Sequence, residues 1–124
     1  MGIDIGKAQW AYSGFMRFRE KLASAEGIDL RQMRGFGDDN QNRPWEDDNG
    51  NDVTILRPFL DHSDCDGELT WQECAQVVDR IEQIIETWRA PEGDYIHGRD
   101  ISQGKLLVAE MRDCVNTKTA LEFT

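Results

Sequence analysis

The stretch "TWQECAQVVDRIEQIIETW", residues 70–88, decides the fold class. Cys74, Val77, Val78, Ile81, Ile84, Ile85 and Trp88 recur three and four positions apart, the spacing that lines one broad face of an α-helix. Thr70 and Glu73 add the reciprocal capping pattern, in which each side chain satisfies the other residue's backbone N–H, so the helix is expected to begin just after Thr70.

Immediately upstream, and overlapping that start, lies "HSDCDGELTWQE", residues 62–73. An EF-hand loop takes oxygen ligands from positions 1, 3, 5, 7, 9 and 12, with glycine at 6 for the sharp turn. With Gly67 at position 6, Asp64 falls at 3, Asp66 at 5, Glu68 at 7 through its carbonyl, Thr70 at 9 and Glu73 at 12, while apolar Leu69 takes position 8. Asp64, Asp66, Glu68, Thr70 and Glu73 are therefore the candidate ligands for Ca2+, and the loop resembles that of an EF-hand. Position 1 departs from the pattern: His62 offers nitrogen where a hard cation wants oxygen. The same residues also read without metal, as an acidic turn at Asp64, Asp66 and Gly67 followed by a helix cap. EF-hand loops usually work in pairs, yet the acidic run "DDNGND" at 47–52 is no second loop, since Gly50 at position 6 puts Trp45 first and Leu56 twelfth. A single loop would pair through a homodimer or act as a structural staple.

Working outward, "SGFMRFREKLASAEG" predicts a helix over about 14–26, with Ser13 as N-cap, Phe15, Phe18, Leu22 and Ala25 on one face, and Gly27 as the stop. "DLRQMRG" predicts a short helix capped by Asp29 and ended by Gly35. "DVTILRPFLDH" reads as helical through Val53, Ile55, Leu56, Phe59 and Leu60, with Pro58 near the helix start. "DISQGKLLVAEMRDCV" supplies Leu107, Val108, Met111 and Val115 as the inner face of a last long helix, and "TALEF" a short strand. The expected fold is mainly α: one domain over 1–124 with four or five helices, an EF-hand-like helix–loop–helix, and a long acidic loop at about 35–52 pinned by Phe36 and Trp45. Trp10, Tyr12, Phe15 and Phe18 are read as packing rather than as a partner face.

Charge restricts the function classes. The net charge is -10, and ten of the 24 acids lie between Asp38 and Glu68 against only Arg43 and Arg57. Such a surface disfavours direct binding to nucleic-acid phosphates or anionic membranes and suits cations or basic partners. No apolar run has the length of a signal peptide or a membrane span, and three cysteines without dense spacing suit reduced thiols, so a cytoplasmic setting is expected.

The chain carries no compact zinc spacing among His62, Cys65, Cys74, His97 and Cys114, and no phosphate-cradling glycine loop. Cys65 as a nucleophile would have its thiolate disfavoured by the neighbouring carboxylates. Cys74 and Cys114 read as core residues. No catalytic residue is expected, and the chain is read as a non-enzyme.

Taken together, "YSGFMRFREKLASAEGIDL" and "HSDCDGELTWQECAQVVDRI" resemble a family of small proteins from actinobacteria and their phages for which no activity is established. The resemblance covers about half of the chain. It implies a bacterial or phage origin and a cytoplasmic setting, and it brings no catalytic residues.

Two functional expectations follow. The first is a small helical protein that binds calcium weakly at the EF-hand-like loop, or uses that loop structurally, and acts by protein–protein interaction. The second is a phage-type inhibitor or nucleic-acid-mimicking acidic binder, presenting the acidic stretch Asp38 to Asp52 to a basic partner surface, with neutralisation of Asp38, Asp39, Asp47 and Asp48 expected to weaken binding.

Overall fold

Alternation, rather than helical spacing, governs the first eleven residues. Ile3, Ile5, Ala8 and Trp10 are buried while their neighbours face outward, so the segment folds as an antiparallel hairpin of β1 (Gly2–Ile5) and β2 (Ala8–Ala11). Gly6 makes the two-residue turn with φ +59°, a backbone angle that a side chain would oppose. The computed structural model describes residues 2–36, 43–63 and 66–124. The helical reading of the sequence did not include this hairpin.

The first helix, α1 (Tyr12–Ala25), follows the hairpin directly and buries Phe15, Phe18, Arg19, Leu22 and Ala23. Its start corrects the expected cap: Ala11 occupies the N-cap without a side-chain bond, and Ser13 lies inside the helix. Gly27, at φ +76°, ends it as expected. Asp29 then caps a single 3-10 turn, Leu30–Gln32, by accepting from the Arg31 N–H at 3.1 Å, so the short second helix is narrower than the sequence suggested. Phe36 and Trp45, the two expected anchors, meet edge to face at 6.4 Å, and the Trp45 indole donates to the Arg34 carbonyl at 3.0 Å.

Only Arg57–Leu60 of the "DVTILRPFLDH" segment is helical, forming α2 with Pro58 in its first turn. Leu56, Phe59 and Leu60 are buried, but Val53 and Ile55 are exposed, correcting their placement on an inner face. The strand β3 (Glu68–Leu69) leads into α3 (Trp71–Glu86), whose stripe of Cys74, Val77, Val78, Ile81, Ile84 and Ile85 is buried. Both halves of the Thr70–Glu73 capping box form. The last helix, α4 (Tyr95–Thr117), starts earlier than predicted because Asp94 caps it. It ends at Lys118 in the left-handed conformation before β4 (Leu121–Glu122).

Helices make up 52% of the described residues and the strands form small antiparallel sheets, so the mainly α reading holds at that level. The α3–α4 pair is the largest packing unit, with α1 and the hairpin laid against it. Trp10 stacks on Phe18 with ring centroids 4.6 Å apart, and Phe15 meets Phe59 edge to face at 5.8 Å, which makes these aromatics core. Among the described residues, no helix is long and apolar enough to cross a membrane.

Candidate functional site: the loop between α2 and α3

Arg19 holds the start of the loop from below. Burial of a guanidinium is tolerated only when its N–H groups find acceptors. Its Nη1 donates to the carbonyls of Leu60 at 3.3 Å and His62 at 2.6 Å, and its plane lies over the rings of Phe15 and Phe36 at 4.7 and 5.1 Å. The chain leaving α2 is thereby fixed to the middle of α1.

His62 closes the loop from within. Its Nδ1 lies 2.8 Å from the Ser63 carbonyl, and its Nε2 lies 3.0 Å from the carbonyl of Glu68, across the turn. The ring packs on Phe123 with centroids 4.0 Å apart. Gly67 turns the chain at φ +96°, and a Cβ placed on it would come within 3.3 Å of the imidazole. The glycine expected at position 6 of an EF-hand therefore suits the positive φ of the turn and eases the ring's close approach.

The C-terminal strand completes the unit. In β3–β4, Leu69 pairs with Leu121, both buried, and Glu68 pairs with Glu122, both exposed. The Phe123 N–H donates to the Gly67 carbonyl at 2.9 Å, and the Thr124 N–H to that of Asp4 at 2.9 Å, so the tail ties the loop to the first strand. Directly opposed carboxylates repel, so the ladder carries a like-charge pair at its surface.

The calcium ligands predicted from sequence are distributed as follows. Asp64 lies outside the described residues, as do Cys65, Asp38 and Asp39. The Asp66 carboxylate accepts from the Ser63 hydroxyl at 3.2 Å, and the Glu68 carbonyl faces His62. The Thr70 hydroxyl accepts from the Glu73 N–H at 3.1 Å, and the Glu73 carboxylate accepts from the Thr70 N–H at 2.9 Å. In kind these are the oxygens a hard cation takes, but each is engaged by a donor from within the loop, and position 1 supplies nitrogen. Among the described residues, no three His, Cys, Asp or Glu side chains converge closely enough to hold a metal ion.

Among the described residues, Glu46 and Asp52 of the acidic loop are drawn together by Arg57. Arg57 bonds Glu46 at 2.6 Å and Asp52 at 2.7 Å and lies 3.5 Å from Asp61, and the two closest carboxylates push its guanidinium pKa further above its ordinary value. The Asp47 carboxylate accepts from the N–H groups of Asn49 and Asn51 and so shapes a turn. Within the expected acidic binding set, Asp48 is an exposed turn residue.

A second polar cluster escaped the sequence reading. Asp100, with no exposed surface, receives Arg17 Nε and Nη2 at 3.1 and 3.0 Å, Lys21 Nζ at 2.7 Å and the Trp10 indole N–H at 3.4 Å. Lys21 also donates to His97 Nδ1 at 2.7 Å. The signal was present: Asp100 lies four residues before Gly104, seven before Leu107 and eleven before Met111, on the face those residues bury. Its donors complete the carboxylate's hydrogen bonding, and the arrangement joins the hairpin and α1 to α4.

No protein-family model, curated protein or solved structure significantly matches this chain.

Proposed function

We propose that this is a non-catalytic interaction protein that docks a basic partner on the acidic surface formed by the α2–α3 loop and β4. The observation that carries the reading is the pairing of Glu68 with Glu122. Two exposed carboxylates held opposite each other cost stability, and a cationic group bridging them relieves that cost. Asp66 and Asp61 extend the same loop, adding negative charge within its few residues. A bacterial or phage origin and a reducing, cytoplasmic setting belong to this proposal; the free thiols of Cys74 and Cys114 support the setting. The pairing of β3 with β4 of its own chain supports a loop that works without a second loop from a homodimer.

Affinity capture by the wild-type chain and by a Glu68→Gln/Glu122→Gln variant, each at low and high salt, tests the reading. Capture of basic proteins that fades with salt and with the variant is expected. Capture indifferent to both would refute it. The inhibitor form of this proposal makes the captured basic surface one that normally holds nucleic acid, and predicts that added DNA or RNA competes for it.

Calcium at the loop is the second reading. It rests on the oxygens of Asp66, Glu68, Thr70 and Glu73, on Asp64 from the sequence pattern, and on the antiparallel bridge at Leu69, which occupies position 8. It predicts a calcium-specific rise in thermal midpoint that magnesium does not reproduce and that Glu73→Ala abolishes.

A further inference from the structure

We propose that Asn49 is a self-modification site: the backbone nitrogen of Gly50 converts its side-chain amide to a carboxylate, and the turn held by Asp47 governs the rate. Asparagine reacts this way when the nitrogen that follows it reaches its Cγ. The Gly50 nitrogen gives up its proton to solvent and bonds that carbon; the bond from the carbon to the amide nitrogen breaks, and ammonia leaves behind a cyclic imide. Water then opens the ring at either carbonyl, giving aspartate at position 49 or an isoaspartyl link that runs through the side chain. The sum exchanges ammonia for water and places a new negative charge on the chain.

Sequence and structure single out this amide. Asn49 precedes Gly50, whereas Asn40, Asn42, Asn51 and Asn116 precede Gln41, Arg43, Asp52 and Thr117, whose side chains crowd the attacking nitrogen. Residues 47–52 are all exposed, and a Cβ placed on Gly50 would meet nothing within 4 Å, so water reaches the pair. Among the described residues, no hydrogen bond holds the Asn49 side-chain amide. Asn116, by contrast, lies inside α4, where the helical ladder holds the backbone.

The attacking nitrogen is also the one that the turn restrains. The Gly50 N–H donates to the Asp47 carbonyl at 3.0 Å, and the Asp47 carboxylate accepts from the N–H groups of Asn49 and Asn51 at 2.9 and 3.0 Å. Attack requires the first of these bonds to open, so the folded chain reacts more slowly than an unfolded one. Because the turn is exposed and its bonds are local, that opening belongs to the low-stability end of the fold. The new carboxylate joins Asp47, Asp48 and Asp52. The isoaspartyl form lengthens the backbone and disturbs the bridge between Glu46 and Asp52, the two acids that Arg57 bonds.

The full chain is incubated at pH 8 with and without urea, beside its Asp47→Ala and Asn49→Gln variants, and mapped over time by mass spectrometry, with isoaspartate methyltransferase labelling to detect the isoaspartyl form. The folded wild type is expected to gain the mass of amide-to-acid exchange at Asn49, in both product forms, and not at Asn51 or Asn116 over the same time. Asp47→Ala is expected to react about fivefold faster, because losing the carboxylate's bonds shifts the turn toward its open form by about that factor. Asn49→Gln, whose longer side chain disfavours the ring, is expected to gain nothing at that position. A folded wild type that stays unmodified while the urea sample reacts overturns the proposal, and so does reaction at Asn51 and Asn116 as fast as at Asn49. Equal rates in the folded wild type, Asp47→Ala and urea overturn the control by the turn.

Discussion

Arg17 grips Asp100 through both arms of its guanidinium fork, Nε and Nη2 lying 3.1 and 3.0 Å from the two carboxylate oxygens. This bidentate bond, with Lys21 on one of the same oxygens, makes a fully buried aspartate affordable where side chains of α1 and of the hairpin reach α4. Burial alone would raise the Asp100 pKa, but the hydrogen bonds and charges of Arg17 and Lys21 outweigh it and hold the carboxyl below its ordinary range. Its folded pKa thus lies below the unfolded value of about 3.9, so its stabilisation is complete above that pH and is lost as pH falls through the folded value. Asp100→Asn is expected to lose about 2–4 kcal/mol in urea unfolding at neutral pH. The lower end is favoured because Arg17 and Lys21, 39% and 27% exposed, can turn to water. The variant should also show a flatter acid limb below about pH 4.

Cys74 lies wholly inside the α3 stripe, and burial, with smaller contributions from Cys114 and Glu73, pushes its thiol up to about 12. Burial raises Cys114 as well. A thiol held protonated is a poor nucleophile. Iodoacetamide at pH 8, followed by mass spectrometry, is expected to leave both residues unmodified in the folded chain and to label them in denaturant. Rapid native labelling of Cys74 would contradict its place in the core.

Gly67 and Gly27 both hold positive φ, at +96° and +76°, but only Gly67 has a side chain facing its missing Cβ. Gly67→Ala is expected to cost about 1–3 kcal/mol and Gly27→Ala less, because the second pays backbone strain without meeting His62. Equal losses in thermal unfolding would mean that the imidazole does not crowd the turn.

Much of this architecture was legible residue by residue. The Thr70–Glu73 capping box and the α3 stripe are local codes, and both formed as read. The hairpin was missed because Ile3, Ile5, Ala8 and Trp10 give only four apolar alternations, yet the turn at Gly6 between them was available as a signal. Arg19 and Asp100 were passed over because charged residues are usually assigned to the surface, although their spacing from Phe15 and Leu107 puts them on buried faces. At the loop, sequence supplied the candidate oxygens and the awkward His62. It did not show that the imidazole reaches the Glu68 carbonyl, which depends on how the turn folds, or that β4 pairs there, which depends on a tail about fifty residues away.

The central claim is that Glu68 and Glu122 are held together at a cost that a basic partner relieves, and one measurement reaches it directly. Thermal unfolding of Glu122→Gln, without any partner, is expected to show a gain of about 0.2–1 kcal/mol. For a chain of this size that is a rise in midpoint of about 1–5 °C. An unchanged or lowered midpoint would contradict the account, since the opposed carboxylates would then carry no cost for a partner to relieve.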